Sequence, residues 1–105
     1  MILNEEAEQA VLGAILLDDA VMEKSKLKGE YFHLQRHQKI FAAIAKVHQL
    51  GEPVTLVTVT TELGKDIDAV GGVGYLSQLA ASIPTLETFE HQQRLVLEAL
   101  RYRKQ

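Results

Sequence analysis

The chain has no cysteine. That excludes a disulfide framework and any thiolate metal site. It also lacks a long apolar run of membrane-span character. The longest uncharged stretch, Ala69 to Leu86, contains Gly71, Gly72, Gly74 and Pro84 among several polar residues. The N-terminal Met1-Ile2-Leu3-Asn4 has no signal-peptide layout, so a soluble cytoplasmic protein is expected. An excess of positive charge is missing too. The formal net charge is −3, whereas domains that hold nucleic acid by bulk charge are usually basic.

What is present is an ordinary globular composition, 47% hydrophobic and 24% charged over 105 residues, enough for one domain with a modest core. The first apolar run, Asn4 to Leu17, organises the rest. Asn4 is a good N-cap, and Glu5 and Glu6 lie where the helix dipole is positive. Ala7, Ala10, Val11, Ala14 and Ile15 recur at helical spacing, widened by Leu12, Leu16 and Leu17. A helix apolar on most sides needs neighbours on several sides. Gly13, costly in mid-helix by about 1 kcal/mol relative to alanine, suits close approach of another helix.

Asp18 and Asp19 can cap a second helix, about Ala20 to Leu27. Tyr31 and Phe32 then plug the end of the core. Arg36 to Leu50 is the clearest amphipathic helix, with Ile40, Phe41, Ile44, Val47 and Leu50 as its stripe and Gly51 as a natural C′ residue. Val54 to Leu63 has β-branched residues that favour a strand. Leu56, Val59 and Leu63 also fit a helical face capped by Thr55, and a lone strand would have no partner, so helix is chosen by elimination. Gly64 to Gly72 reads as a linker-like loop. A short helix follows with Tyr75, Leu76, Leu79, Ala80 and Ile83, stopped by Pro84. In the last segment, Leu86, Phe89, Val96, Leu97 and Leu100 form a stripe. Its basic end, Arg101-Tyr102-Arg103-Lys104, suits a helix C-terminus. No stop signal follows, as in a piece cut from a longer chain.

No chemistry-bearing constellation emerges. A phosphate loop fails, because Gly64-Lys65 is followed by Asp66 and Val59 stands where the first glycine belongs. Gly72-Val73-Gly74 starts a dinucleotide pattern, but Ser77 replaces its third glycine and no strand precedes it. His33 and His37 are four apart, yet Leu34 stands where a zinc protease has glutamate. These histidines read as surface or core-edge residues. Ser25, Ser77 and Ser82 lack a nucleophile-elbow context. A helix-turn-helix reading of Arg36 to Leu50 offers only Arg36, Lys39 and Lys46 as its basic face.

Five segments in order resemble the N-terminal domain of the hexameric replicative DNA helicases, the DnaB family of bacteria and their phages. They are EAEQAVLGAILLD (Glu6 to Asp18), YFHLQRHQKIFAAI (Tyr31 to Ile44), GEPVTLVTVTTEL (Gly51 to Leu63), GGVGYLSQLAASIPT (Gly71 to Thr85) and the following helix ending in Arg101-Tyr102-Arg103. Each is generic alone; together they are specific. The chain departs from the family at His33, often tyrosine, at Thr55, often aspartate, and most over Leu86 to Gln93. The resemblance implies an all-α fold: a small helical bundle over residues 1–84, then over 85–105 the first arm of a dimerisation hairpin. It implies no catalysis, cofactor or metal in this segment. ATP and Mg would belong to the parent helicase, which would meet DNA through a separate ATPase domain. The implied role is oligomerisation into a hexameric collar of dimers and docking of primase and helicase loader. Phe89, Val96, Leu97 and Leu100 are the expected hairpin residues, and Tyr75, Leu76 and Leu79 the expected partner face. The alternative is a stand-alone helical DNA-binding domain.

A hairpin lacking its second arm should associate poorly. The chain is therefore expected to be a monomer or weak dimer in dilute solution, and light scattering from a stable hexamer at micromolar concentration would refute this.

Overall fold

The computed structural model describes residues 5–18, 20, 22, 28–81 and 89–103. Among them are five α-helices and no strand: α1 (Glu5–Leu17), α2 (Gln35–Gln49), α3 (Leu56–Leu63), α4 (Gly72–Ala81) and α5 (Phe89–Arg103). Short 3-10 helices span Gly29–Tyr31 and Gly64–Val70. The expected helix near Ala20 to Leu27 and the Asn4 cap lie outside the described residues, as does the stop at Pro84.

Helix α1 is the centre of the packing. Ala7, Val11, Leu12, Ala14 and Ile15 are buried around its circumference, against α2, α4 and α5. Its lack of a polar face is what lets three helices share it. Helix α2 buries Ile40, Phe41, Ile44 and Val47. Phe32 closes the core from the preceding turn, its ring 5.2 Å from that of Phe41.

The β-branched run folds as a helix because its start is fully capped. Thr55 Oγ1 accepts from the Thr58 amide at 3.1 Å, and Thr58 Oγ1 accepts from the Thr55 amide at 2.9 Å. That reciprocal pair satisfies donors which a strand would have given to a partner. Val59 and Leu63 are then buried one turn apart, and local β-propensity loses to capping and burial.

Three expectations need correction. Gly64 to Gly72 is no open loop: it winds into a 3-10 helix because Val70 is drawn wholly into the core. Leu50 does not complete the α2 stripe and is 59% exposed. The chain turns away just beyond it, at Gly51 with φ +77, where the amides of Gly51 and Glu52 return to the carbonyls of His48 and Val47. The third concerns α5, whose Val96 the resemblance assigns to a hairpin with a partner. Helix α5 lies along α1, with Val96 and Ala99 buried and Leu95 and Leu97 half-buried. The boundary expected at 84/85 falls outside the described residues, and Val96 belongs to the same core as α1.

These packing roles predict a graded series by urea denaturation. Leu12→Ala should cost roughly 2–5 kcal/mol through lost contacts and a residual cavity. Thr55→Ala should cost about 1 kcal/mol through the lost cap. Val57→Ala, at a position 74% exposed, should stay within about 0.5 kcal/mol of the parent.

Candidate functional site

Helices α1 and α2 each carry an ionisable residue at the head of an apolar stripe. Glu8 precedes Leu12 and Ile15 on α1, and His37 precedes Ile40, Phe41 and Ile44 on α2. Helical spacing sends both inward. Their side chains are 1% and 0% exposed, and they meet: His37 Nδ1 lies 2.7 Å from Glu8 Oε1. The expectation of a surface or core-edge His37 is therefore wrong. Its place on the stripe was the available signal; the identity of its partner was not readable.

Glu8 also serves the start of α2. The N-cap residue there, Leu34, has no side chain to cap with. The carboxylate of Glu8 reaches across from α1, accepting from the His33 amide at 2.7 Å and more weakly from the Leu34 amide at 3.5 Å. Negative charge is favoured at that helix end. Burial pushes the Glu8 carboxyl up. The bond from His37, the His33 amide, the charge of His37 and the Leu34 amide together pull it further down, leaving it below its ordinary 4.5.

The other ring nitrogen of His37 continues the chain to α4. Nε2 lies 2.6 Å from the Tyr75 hydroxyl, which also accepts from Gln9 Nε2 at 3.3 Å. An ionised Glu8 only accepts, so the hydrogen of a neutral His37 ring sits on Nδ1, and Nε2 accepts from the Tyr75 O–H. The Tyr75 ring is stacked on His37 and covered by Arg36, whose guanidinium carbon is 4.5 Å from the ring centre. Arg36 also pairs with Glu5 at 3.1 Å, near the surface, where such a pair contributes little. Gly71 makes room for the tyrosine. A Cβ there would stand 2.9 Å from Tyr75 Cβ, and its φ of +107 also excludes most side chains. Gly71 is thus the seat of the tyrosine, whereas a Cβ at Gly72 would meet nothing within 4 Å.

This assembly orients helices; it does not present a reactive group. Both Glu8 and His37 are sealed from solvent, and no group of three or more His, Cys, Asp and Glu residues gathers to hold a metal among the described residues. No helix among them is long and apolar enough to cross a membrane. The expected partner face on α4 is also internal. Leu76 and Leu79 are 0% and 2% exposed, and Tyr75 is half-buried and engaged as above. Of the expected hairpin residues, Val96 is 1% exposed against the chain's own core, and Leu97 is half-buried. The side chains of Phe89 and Leu100 lie outside the described residues.

The match to known proteins covers nearly the whole chain. Residues 2–98 fit the family described as the DnaB-like helicase N terminal domain. The chain belongs to that family. It is 48% identical over 97 residues to the replicative DNA helicase DnaB of Geobacillus stearothermophilus, covering 89% of this chain and 21% of that protein. Against the replicative DNA helicase DnaC of Bacillus subtilis it is 42% identical over 99 residues, covering 90% and 22%. The chain thus spans about a fifth of these relatives' length. Its fold superposes on the crystal structure of the N-terminal domain of DnaB helicase from Mycobacterium tuberculosis with a TM-score of 0.91, at 30% identity, covering 96% of this chain and 75% of that one. A DnaB-like replicative helicase whose structure was determined with its interactions with primase gives 0.90 at 34% identity, covering 96% of this chain and 25% of that one. The all-α bundle is therefore the fold of the DnaB N-terminal domain.

The buried junction has a pH signature. A carboxyl held below its ordinary value contributes stability above the unfolded-state pKa, and loses it as pH falls through the folded value. Unfolding free energy should therefore drop as pH is lowered below about 4.5, and Glu8→Gln should flatten that limb. At neutral pH, His37→Ala should cost roughly 3–5 kcal/mol, because it strands a buried charge. Tyr75→Phe should cost about 1 kcal/mol. Denaturant titrations across pH check all three.

Proposed function

We propose that this chain is the oligomerisation and partner-docking domain of an ATP-dependent replicative DNA helicase that unwinds duplex DNA at the replication fork. What carries the reading is the family match over residues 2–98. The domain has no activity of its own. ATP and Mg act in a separate motor domain of the parent, which is also where DNA is engaged, and the setting is the cytoplasm of a bacterium or of a phage's host. The domain's part is to join a hexameric collar built of dimers and to receive primase and the helicase loader. Primase has the firmer support, since a structural relative at 34% identity is described with its primase interactions.

The geometry narrows where such contacts fall. Val96, Leu76 and Leu79 are committed to the chain's own core, so they hold elements in place rather than touch partners. Phe89, Leu97 and Leu100 remain the proposed hairpin residues. The DNA-binding alternative is disfavoured by charge. Lys39 and Lys46 on α2 share a shallow groove with Glu62 and Asp66, so no uniformly basic face lies there for a major groove.

Titration calorimetry with the Geobacillus stearothermophilus primase and, separately, with duplex DNA over a range of salt tests this. Saturable binding of primase with no binding of duplex is expected. Duplex binding with a steep salt dependence, and none of primase, would favour the alternative.

A further inference from the structure

Four large aliphatic side chains are exposed among the described residues, Leu17, Leu50, Val57 and Val73, and two of them share one groove. Leu50 is 59% exposed at the end of α2, and Val57 is 74% exposed in the first turn of α3. A β-branched residue at an exposed helical position neither favours the helix nor packs, so folding does not explain Val57. The two face one groove of about 400 Å³ between the end of α2 and α3. Its apolar lining is Val47, Leu50 and Val57, and its charged lining is Glu52 and Glu62, with no basic residue. Neither glutamate has an ion pair among the described residues. The neighbouring groove differs, since there Lys39 and Lys46 stand with Asp66 and the same Glu62.

The walls are also set in advance. Gly51, with φ +77, fixes the turn out of α2, and the Thr55–Thr58 pair fixes the entry to α3. Thr58 Oγ1 donates to the Pro53 carbonyl at 2.8 Å and ties the intervening stretch. A preformed groove avoids much of the ordering cost of binding.

We infer that this α2–α3 groove receives a basic amphipathic helix of a partner protein, inserting an aliphatic or aromatic side chain between Leu50 and Val57 while Lys or Arg residues meet Glu52 and Glu62. Apolar anchors in a groove with charges at its margin are the pattern of helix-in-groove recognition. Glu52, and Glu62 where it faces this groove, select the sign of the partner, since neither has an ion pair among the described residues. The inference deepens the docking reading above, and its choice of a protein partner rests on that reading.

The probe is a synthetic amphipathic peptide of about four turns, with leucines along one face and lysines flanking them. One control peptide has glutamate for lysine, the other serine for leucine. Amide shifts of the 15N-labelled chain should move at Val47, Leu50, Glu52, Val57 and Glu62 with the first peptide only. Leu50→Asp and Val57→Asp, both at exposed positions and checked by thermal melting, should each weaken binding at least about tenfold. Glu52→Gln with Glu62→Gln should weaken it several-fold and reduce its salt dependence. Shifts elsewhere, equal response to the glutamate peptide, or no response would overturn the inference. Concentration-dependent shifts of the same amides without peptide would assign the groove to a second copy and overturn it too. Titrating the primase against the same variants separates the two readings. Primase bound equally by the parent and by Leu50→Asp and Val57→Asp sinks the groove and leaves docking standing. No primase binding, with the peptide still seated at the groove, sinks the primase reading alone.

Discussion

The carboxylate of Glu8 is the point where this fold is tied. Helix α1 is apolar nearly all round, and an apolar helix among apolar helices can turn about its axis at little cost, because burial is not directional. A buried carboxylate removes that freedom. It must meet the His33 amide and His37 Nδ1 at once, both at 2.7 Å, and only one rotation of α1 against α2 allows it. Through His37 Nε2 the same constraint passes to Tyr75 and fixes α4. Such a pair adds little net stability compared with apolar residues of the same shape, yet removing one partner is costly. Its use here is positional.

The seat of Tyr75 shows how far that constraint reaches. The tyrosine needs a backbone turn that comes close to its Cβ, and Gly71 supplies both the close approach and the left-handed conformation. That turn ends the 3-10 helix in which Val70 is buried. One polar chain from Glu8 to Tyr75 thereby determines how the segment after α3 must run. The sequence marks Gly71 only as the end of a loop, and the reason for a glycine there lies in a side chain four residues away.

How much was legible follows from what periodicity can encode. Helices α1 and α2 were readable because their apolar spacing repeats over three or more turns. Helix α3 was readable only by weighing its cap against its β-branched composition, and the Thr55–Thr58 bonds show why the cap prevailed. The 3-10 segment was misread since Gly64, Lys65, Asp66 and Asp68 look like a loop, and one buried valine outweighs them. The polar junction was missed for a different reason. Each of its residues sits where an apolar residue is due, a visible anomaly, but mutual satisfaction is a relation between distant segments. For α5, Val96 of the expected stripe is buried beside Gln93 and Ala99, and its cover by α1 was not readable. Amphipathicity says that a face is buried; it does not say by whom.

The orientation of α5 has a consequence for the collar reading. With Gln93, Val96 and Ala99 turned to the core, the face left outward carries Arg94, Glu98 and Arg101 at four- and three-residue spacing, with Leu97 at its margin. A second copy or partner meeting α5 on the described part of that face would find a charged surface with one apolar flank, not a greasy stripe. Contacts of that kind govern encounter rate and choice of partner more than affinity, and they weaken with salt. Among the described residues, large aliphatic side chains are exposed at Leu17 on α1, Val73 on α4, Leu50 after α2 and Val57 on α3, and the last two lie on elements outside the α1–α5 packing. Assembly through α5 and docking through the α2–α3 groove would therefore use separate surfaces, and one domain can carry both without competition between them.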